Sequence, residues 1–466
     1  MKFNRLLLAS SSAIVLSAVG ALADKNVALL NQSGDGNSAL INQNGDNNTA
    51  GVHGNASKPN SEINQLGNDS DIDFLQQGDG NSIGTGDAFQ QTGNRNAATV
   101  EQFGSGNEFT YMIQSGGGAS SLANSLTIVQ DGDTNRVKEV RQALSGGTDA
   151  NAAVMNQVGD ANTMGGRIRQ QGSGNALNFL QTGSNNTIAP VNNVAGNFGI
   201  ATSVHSVTQS GQDNAMNVEQ DGSDNFMRAA QQHGDQNIMS LSVIGYENGQ
   251  SPLTAGFSAS SGAEDSSIWQ VGSGNDAGLM INGSFNAYGI AQQGSGNSAS
   301  GMSVIGDDNS VGVGQYGSTN IVYPVSITGD DNSLGFRQDG NGNTAGGSLN
   351  GNANLVKVNQ TGSTNNATVT ITGNGNGGGL GFGGSALITA GSLLSGYSTQ
   401  SGDLNSTSLT ITGDQNAFVL SSTGDDNEII GTVNGSYNQA AVVQIGNNNT
   451  ANFTQLGDGN NVGISQ

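Results

Sequence analysis

The sequence of 466 residues lacks several things on which globular and secreted proteins usually rely. It has no cysteine, which excludes disulfides and thiol catalysis. It has only four prolines, and with 5% aromatic and 34% hydrophobic residues it offers little material for an ordinary globular core. Basic residues are also few, because 13 Lys and Arg stand against 36 Asp and Glu, a net charge of −23. A chain this acidic argues against a nucleic-acid partner, whose phosphates need a basic surface.

What the sequence has in excess is glycine, with 74 residues, and one recurring phrase, Gln-x-Gly-x-x-Asn. In residues 270–376 the first position of the phrase alternates between glutamine and an aliphatic residue, about 11 residues apart. The full repeat is therefore a pair of phrases, about 22 residues long, and a fixed period of this size is typical of stacked repeat folds. We call the residue at the first position of each phrase its opener. The glutamine openers are Gln270, Gln292, Gln315, Gln338 and Gln360, and the aliphatic openers are Ile281, Val304, Ile327, Leu349 and Ile371.

Each phrase predicts one β-strand followed by one tight turn. From its Asn onward the residues alternate between two faces, as in Asn365–Ile371, where Asn, Ala, Val and Ile share one side. The x-Gly-x-x stretch has the residues of a tight turn, since glycine tolerates positive φ and the side chains of Asp, Asn or Ser form hydrogen bonds to the local backbone. Two phrases make one flattened coil, and such coils stack about 4.8 Å apart. The predicted fold class is all-β, a solenoid of strand–arc–strand coils with two strands each, cross-β in type.

Stacking places like residues over like, which predicts ladders of identical side chains. A buried amide is costly unless it is hydrogen-bonded, and a column of identical amides satisfies donors and acceptors together. The predicted ladder residues are the five glutamine openers with Gln444 and Gln455, the asparagines Asn275, Asn286, Asn297, Asn320, Asn365, Asn449 and Asn460, the five aliphatic openers, and the turn glycines Gly272, Gly294, Gly317, Gly340 and Gly362.

The chain is predicted to be an exported repeat protein. Residues 1–23 have the basic start, the apolar run and the Ala-Leu-Ala cleavage site of a secretory signal, and the run is too short to span a bilayer comfortably. The repeat starts and stops in phase without a polar cap, so its end strands are expected to pair with another chain. Residues 24–466 form the repeat region, most regular over 270–376 and 400–466, with irregular inserts near 187–207, 246–267 and 377–399.

The four prolines test this register, because proline cannot donate to a strand ladder. Pro59, Pro190 and Pro252 fall in irregular gaps between phrases. Pro324 lies in an interval that carries one extra residue, which predicts a β-bulge at that point.

With these phrases the chain resembles the curlins, the subunits of bacterial curli fibres. The family motif is matched where Gln32 leads to Asn37 and the next Gln43, and again where Gln444 leads to Asn449. The resemblance covers most of residues 26–466. It implies a secreted subunit that polymerises into extracellular cross-β fibres for adhesion and biofilm matrix, with an outer-membrane export partner and a nucleating subunit. The chain is far longer than a five-repeat curlin, so a main subunit, a nucleator and a large relative are all open alternatives.

Catalytic and metal-binding patterns are weak. The histidines His53, His205 and His233 are isolated in the sequence, so neither a catalytic centre nor a cofactor is expected. Asp is frequent in the turns, and stacked carboxylates about 4.8 Å apart would repel by roughly 1 kcal/mol in water. We therefore expect acid or calcium to speed assembly. The weak candidates for a calcium ligand are Asp307, Asp330 and Asp425.

Two other function classes remain as hypotheses. A β-solenoid surface adhesin that does not polymerise, stabilised by calcium or not, would use the same coils as a binding scaffold. An enzyme on a β-helix, such as a polysaccharide lyase, would need a cluster of acidic and basic groups that the repeats do not show.

Overall fold

The computed structural model describes residues 13–17, 25–51, 60–86, 88–116, 124–144, 149–189, 206–253 and 265–466. It forms two compact units, Met1–Asn237 and Ile238–Gln466. In each unit successive strands alternate between two parallel sheets, so that two strands and two arcs make one coil of a β-solenoid. Strand accounts for 63% of the chain and helix for 2%, which confirms the predicted all-β solenoid.

The described residues of the first unit form 21 strands, many of them seven residues long, as the alternation of the repeat requires. They are β1 Ala13–Ser17, β2 Val27–Ala28, β3 Leu30–Ser33, β4 Ser38–Asn44, β5 Thr49–Ala50, β6 Asn60–Leu66, β7 Asp71–Gln77, β8 Ser82–Ile83, β9 Ala88–Thr92, β10 Ala97–Phe103, β11 Glu108–Ser115, β12 Ser125–Asp131, β13 Arg136–Leu144, β14 Ala152–Val158, β15 Thr163–Ser173, β16 Ala176–Ser184, β17 Thr187–Ile188, β18 Ser206–Gln212, β19 Ala215–Ser223, β20 Phe226–Met227 and β21 Ala229–His233.

These strands form two sheets, which we name A1 and B1. Sheet A1 stacks β1, β4, β7, β10, β12, β14, β16 and β19 in that order, all parallel. Sheet B1 stacks β3, β6, β9, β11, β13, β15, β18 and β21, with the short strands β2, β5, β8, β17 and β20 beside them. Strand β1 lies within the predicted signal segment and pairs with Ser38–Asn42.

In the second unit, the residues outside 254–264 form 18 strands and one short helix, α1. They are β22 Ile238–Tyr246, β23 Ser267–Val271, β24 Asp276–Asn282, β25 Ala287–Ser295, β26 Ser298–Ile305, β27 Ser310–Ser318, β28 Ile321–Thr328, β29 Ser333–Asn341, β30 Thr344–Asn350, β31 Leu355–Thr361, β32 Asn366–Thr372, α1 Gly384–Ala390, β33 Tyr397–Ser401, β34 Ser406–Thr412, β35 Ala417–Thr423, β36 Glu428–Asn434, β37 Gln439–Ile445, β38 Thr450–Leu456 and β39 Asn461–Ser465. The even-numbered strands stack in order as sheet A2, and the odd-numbered strands as sheet B2.

The core lies between the two sheets of each unit, because alternate residues of every strand point inward. In the first unit Phe74, Phe89 and Phe109 are fully buried, and their rings meet edge to face with centroids 5.5 and 5.3 Å apart. Buried Gln and Asn flank such apolar residues at both ends of the strands. The narrow core is therefore apolar at its centre and amide-lined at its margins.

The predicted inserts near 187–207 and 246–267 include strand residues at their edges. Residues 187–188 and 206–207 belong to strands β17 and β18, and β23 begins at Ser267. The insert near 377–399 folds into α1, whose Ala386 and Ala390 pack with Val419 and Ala441 on the outer face of sheet B2. Within the described part of the chain, no helix has the length and apolar character that a membrane span requires.

The proline test gives one clear outcome. The pairing of β28 with β30 shifts register between Val322 and Val325, which confirms the bulge predicted at Pro324. Pro252 lies outside any strand. Pro59 and Pro190 lie outside the described residues.

Candidate functional site: stacked amide and turn ladders

A continuous ladder of buried glutamines runs along sheet B2. The Nε2 group of Gln270 donates to Oε1 of Gln292 at 2.8 Å, and the same bond links Gln292 to Gln315 at 2.8 Å. It continues to Gln338, Gln360 and Gln400 at 2.9, 2.8 and 2.8 Å. Each amide thus bonds the same side chain one coil further along the chain, which a stack in register makes possible.

The second proton of each ladder amide holds the two sheets together. Gln315 Nε2 also donates to the carbonyl oxygen of Ser298 at 3.0 Å and to that of Asn320 at 2.9 Å. Ser298 begins a strand of sheet A2, whereas Gln315 ends a strand of sheet B2. The glutamine therefore ties one coil to the next and, within its own coil, one sheet to the other.

The first unit has two such ladders instead of one. In sheet A1 the bonds run from Gln43 through Gln76, Gln102, Gln130, Gln157 and Gln181 to Gln220. In sheet B1 they run from Gln32 through Gln65, Gln91, Gln114, Gln142, Gln170 and Gln209 to Gln232.

The phrase pattern misses two of these ladder residues, Gln114 and Gln142. Both lose the phrase because extra residues separate the glutamine from its asparagine, which falls at Asn124 and Asn151. Nevertheless, Gln114 donates to Gln142 at 2.8 Å. The signal that could have found them is the spacing from the preceding opener, since each lies 12 residues after Gln102 or Gln130.

The ladder of sheet B2 is interrupted once, at Ser422. Gln400 keeps the cross-sheet bond that the other ladder glutamines make, here to the carbonyl oxygen of Asn366 at 2.9 Å, and donates to Oγ1 of Thr407 at 3.1 Å in place of the missing glutamine. The Ser422 hydroxyl donates to Gln444 at 3.2 Å, and Gln444 donates to Gln466 at 2.9 Å.

Gln455 lies in the other sheet, in register with Val433. Its Nε2 donates to the carbonyl oxygen of Gln439 at 3.0 Å, but its buried Oε1 has no hydrogen-bond partner. It stands apart from the glutamine ladder of sheet B2.

The asparagines form ladders in which the donors point the other way. Asn320 donates from both its backbone nitrogen and its Nδ2 to Oδ1 of Asn297, each at 3.1 Å, and from Nδ2 to the carbonyl oxygen of Gly340 at 2.8 Å. The bonds from asparagine to asparagine therefore run toward lower residue numbers and those from glutamine to glutamine toward higher ones, while asparagine Nδ2 also donates to a glycine carbonyl oxygen of the following coil. Asn275, Asn297, Asn320, Asn365 and Asn449 lie at the starts of A2 strands, and Asn286 and Asn460 lie in the corresponding column of sheet B2.

The five predicted aliphatic openers share one column of sheet A2. Ile281, Val304, Ile327, Leu349 and Ile371 are in register on consecutive strands, and each is at most 1% exposed. They close the end of the core opposite the glutamine ladder without using any hydrogen bond.

Two features of the turns require glycine: the positive φ of the residue itself and the close approach of the next coil along the chain. Gly294 has φ of 121°, and a Cβ built on it would lie 1.8 Å from the carbonyl oxygen of Gly317. The other predicted turn glycines share this geometry, with φ of 114° at Gly272, 112° at Gly317, 132° at Gly340 and 114° at Gly362. Only glycine allows the arcs to stack this closely.

The turn aspartates belong to the stack rather than to a separate ion site. Asp330 Oδ1 accepts the backbone N–H of Asp307 at 2.9 Å, and Asp307 Oδ1 accepts that of Ser284 at 2.7 Å. Asp425 likewise accepts the N–H of Asp403 at 2.9 Å, on the arc that follows sheet B2. Among the residues that the structure describes, no group of three His, Asp or Glu side chains could hold a metal ion.

Asp308 and His233 are among the ionisable groups whose pKa values are shifted. The pKa of Asp308 is raised, first by burial of the carboxyl and then by the charges of Asp331, Asp307 and Asp330. The pKa of His233 is lowered by burial and by Arg169. His53 and His205 lie outside the described residues.

Comparison with known proteins agrees with this geometry. The family model of the curlin associated repeat matches residues 24–53, a segment that holds β2 to β5. This match confirms the predicted resemblance. A search of curated proteins finds no match.

Proposed function

We propose that this chain, which matches the curlin associated repeat over residues 24–53, is a structural subunit that assembles into extracellular cross-β fibres. Curlin-family proteins act at the cell surface, and both the repeat and the solenoid fold are structural in character. The observation that carries the proposal is the self-complementarity of the coil. Each coil presents to its neighbour the same backbone and amide groups that it receives.

The ladders supply the physical reason for assembly. Any stack of finite length has two end coils, and each leaves a row of backbone groups and amides without the next layer. A coil from another copy carries the matching groups at the same spacing of about 4.8 Å, so it can continue the sheets. The buried amides favour this strongly, since an unsatisfied buried amide costs about 1–3 kcal/mol.

The opposite directions of the two ladders make the joint directional. The bonds between glutamines run toward one end, as from Gln292 to Gln315, and the bonds between asparagines run toward the other, as from Asn320 to Asn297. A copy added in the same direction continues both ladders, whereas a reversed copy would oppose donor to donor. The fibre is therefore polar, with every subunit pointing the same way.

The partners follow from the family. We propose that an outer-membrane export apparatus releases the chain, that a nucleating subunit starts the fibre, and that the fibre serves in adhesion and biofilm matrix. The predicted signal of residues 1–23 and the acidic composition support an exported role without a nucleic-acid partner.

The test is growth of the purified mature chain. We expect thioflavin-T fluorescence that rises after a concentration-dependent lag, a lag that preformed fibres remove, and fibres that diffract at about 4.7 and 10 Å. The test variant is Gly294→Ala, in which the new Cβ blocks the stacking of one arc, and its matched control is Gly296→Ala, where only Thr319 Cγ2 lies near, at 3.6 Å. A chain that remains monomeric and β-rich when seeded would support the non-polymerising adhesin instead.

A further inference from the structure

Positive charge is concentrated on one surface of the first unit. Of the 13 Lys and Arg residues, five lie on the adjacent strands β13 and β15: Arg136, Lys138, Arg141, Arg167 and Arg169. In contrast, Ile238–Gln466 contains two basic residues against 15 acidic ones. In so acidic a chain, this cluster on sheet B1 is a local reversal of charge, and we call these five residues the basic patch.

Strand alternation places the basic patch on the outside of the sheet. Arg141 lies between buried Val140 and Gln142, and Arg167 and Arg169 are exposed on either side of buried Ile168. The register puts Arg141 directly beside Arg169 on the next strand. Within the patch, Arg141 and Arg169 therefore form a two-membered arginine column, one coil apart.

Acidic neighbours only partly neutralise the basic patch. Glu108 lies 3.1 Å from Arg136, and Glu139 contacts both Arg141 and Arg167, the latter at 2.9 Å. The Arg141 guanidinium also stacks over the ring of Tyr111, 4.9 Å from its centroid. Strands β11, β13 and β15 together carry five basic and two acidic side chains, so a positive surface remains.

The chain also carries the complementary feature, paired acidic turns at the same spacing. The Gly-Asp-Asp-Asn turns at 306–309 and 329–332 lie on adjacent coils, joined by the bond from Asp307 N to Asp330. The four aspartates of these turns are exposed. They form a column of carboxylates one coil apart, as the arginines form a column of guanidinium groups one coil apart.

We propose that the basic patch docks on the acidic turns at 306–309 and 329–332 of a second copy of this chain, so that fibres associate side by side. Both columns repeat at the spacing between β-strands, about 4.8 Å, so each arginine can face a carboxylate when two copies lie parallel. A polyanion such as DNA carries its phosphate charges at a different spacing, about 3.4 Å along the helix axis for each strand, and would meet a strongly negative chain outside the patch. This inference rests on the proposed function in one respect, since it places the contact between two fibres.

The experiment exchanges charges between the two surfaces. The patch variant is Arg167→Glu with Arg169→Glu, and the turn variant is Asp308→Lys with Asp331→Lys. Lysine fits there because Lys25 and Arg95 adopt the same φ, 63° and 60°, at the equivalent turn position of other coils. The control Lys25→Glu with Arg95→Glu changes the net charge as the patch variant does, at two exposed turn residues outside the basic patch.

At low salt we expect either variant alone to reduce lateral association about tenfold, because several exposed ion pairs act together. The control should not change it. Lateral association is measured as fibre bundle width by electron microscopy and, for unassembled chain, as self-association by sedimentation. A mixture of the patch and turn variants should restore association, since their reversed charges match again, and about 0.5 M salt should abolish it.

The outcomes separate this inference from the proposed function. Failure of thioflavin-T growth would reject the fibre, while sedimentation would still test the contact between copies. Normal fibres with unchanged bundling in both variants, or no rescue on mixing, would overturn the contact. Binding of heparin or DNA that needs the basic patch, with bundling unaffected by it, would assign the patch to an external polyanion and likewise overturn the contact.

Discussion

The two units build the same coil around different buried openers. In the first unit glutamine opens the phrase in both sheets, and two amide ladders run along the stack. In the second unit glutamine occupies sheet B2, and aliphatic residues such as Ile281 and Ile327 occupy the same position of sheet A2. Either kind of residue closes the end of the core beside the arc. A glutamine, however, needs a glutamine at the same position of the next coil to pair its side-chain amide, whereas an aliphatic residue needs no such partner.

The exceptions support this interpretation. Where Ser422 interrupts the glutamine ladder, Gln400 donates to Thr407 in place of the missing glutamine. Where Gln455 enters the aliphatic column, its Oε1 is left buried and unbonded. Outside a complete ladder, an amide therefore depends on whichever polar side chain lies nearby, and the aliphatic column offers none.

We expect the largest loss of stability from substitutions of the turn glycine, which occurs in the coils of both units. Gly294→Ala in the second unit and Gly159→Ala in the first place a Cβ 1.8 and 2.1 Å from the carbonyl oxygen of the stacked glycine. We expect each to lower the free energy of unfolding by about 3 kcal/mol or more, because backbone strain of about 1–3 kcal/mol adds to the clash. Urea unfolding followed by circular dichroism measures it.

The control for this prediction is Gly296→Ala, two residues further along the same arc. Its φ of 65° is shared by non-glycine residues in other coils, such as Thr319 at 56°, so we expect a loss of about 1 kcal/mol. Equal losses in Gly294→Ala and Gly296→Ala would contradict the stacking argument.

The next effect separates the two kinds of column. Gln130→Leu should cost about 2–5 kcal/mol, because it leaves the donor of Gln102 and the acceptor of Gln157 unpaired, each worth about 1–3 kcal/mol. Ile327→Gln should cost about 1–3 kcal/mol, since Val304 and Leu349 offer its amide no partner. Ile327→Val serves as the control, with an expected loss of about 0.5–1.5 kcal/mol. A Gln130→Leu variant as stable as Ile327→Val would show that the ladders contribute nothing beyond packing.

Repair of the natural gap tests the same idea in the stabilising direction. Ser422 is in register with Gln400 and Gln444, so Ser422→Gln would complete the ladder of sheet B2. We expect a gain of about 1 kcal/mol, the net value of a typical buried hydrogen bond, seen as a higher urea midpoint. Ser408→Gln, an exposed position of β34, should leave the midpoint unchanged. A destabilised Ser422→Gln variant would show that the gap reflects a lack of space.

Much of the fold follows from the sequence because a single rule repeats. Alternation from Asn to the next opener defines the strands, and the glycine turns set the coil length. Register then follows from stacking identical side chains. The bulge at Pro324 follows from one extra residue and the missing N–H of proline.

Other features could not be predicted from the sequence, because they depend on contacts between coils. The small residues Val419, Ala441 and Gly463 look unremarkable in sequence, yet together they receive α1, whose Ser385 carbonyl oxygen would lie 2.2 Å from a Cβ on Gly463. The basic patch is similar, since Arg141 and Arg169 become neighbours only once β13 and β15 pair. The direction of each amide ladder is also absent from the sequence.

The smallest effect concerns charge in the acidic turns of the second unit. The pKa of Asp308 is raised by burial and by Asp331, Asp307 and Asp330, so its ionised form is less favourable in the folded state than in the unfolded state. Stability is therefore reduced at neutral pH, and that reduction disappears as the pH falls through the raised pKa and the carboxyl takes up its proton. Asp308→Asn should be slightly more stable than the wild-type chain at pH 7, and urea midpoints measured toward acid should converge. Asp276→Asn, whose carboxyl lies away from these turns, should show no such convergence; a gap for Asp308→Asn that stays constant or widens on acidification would refute the repulsion.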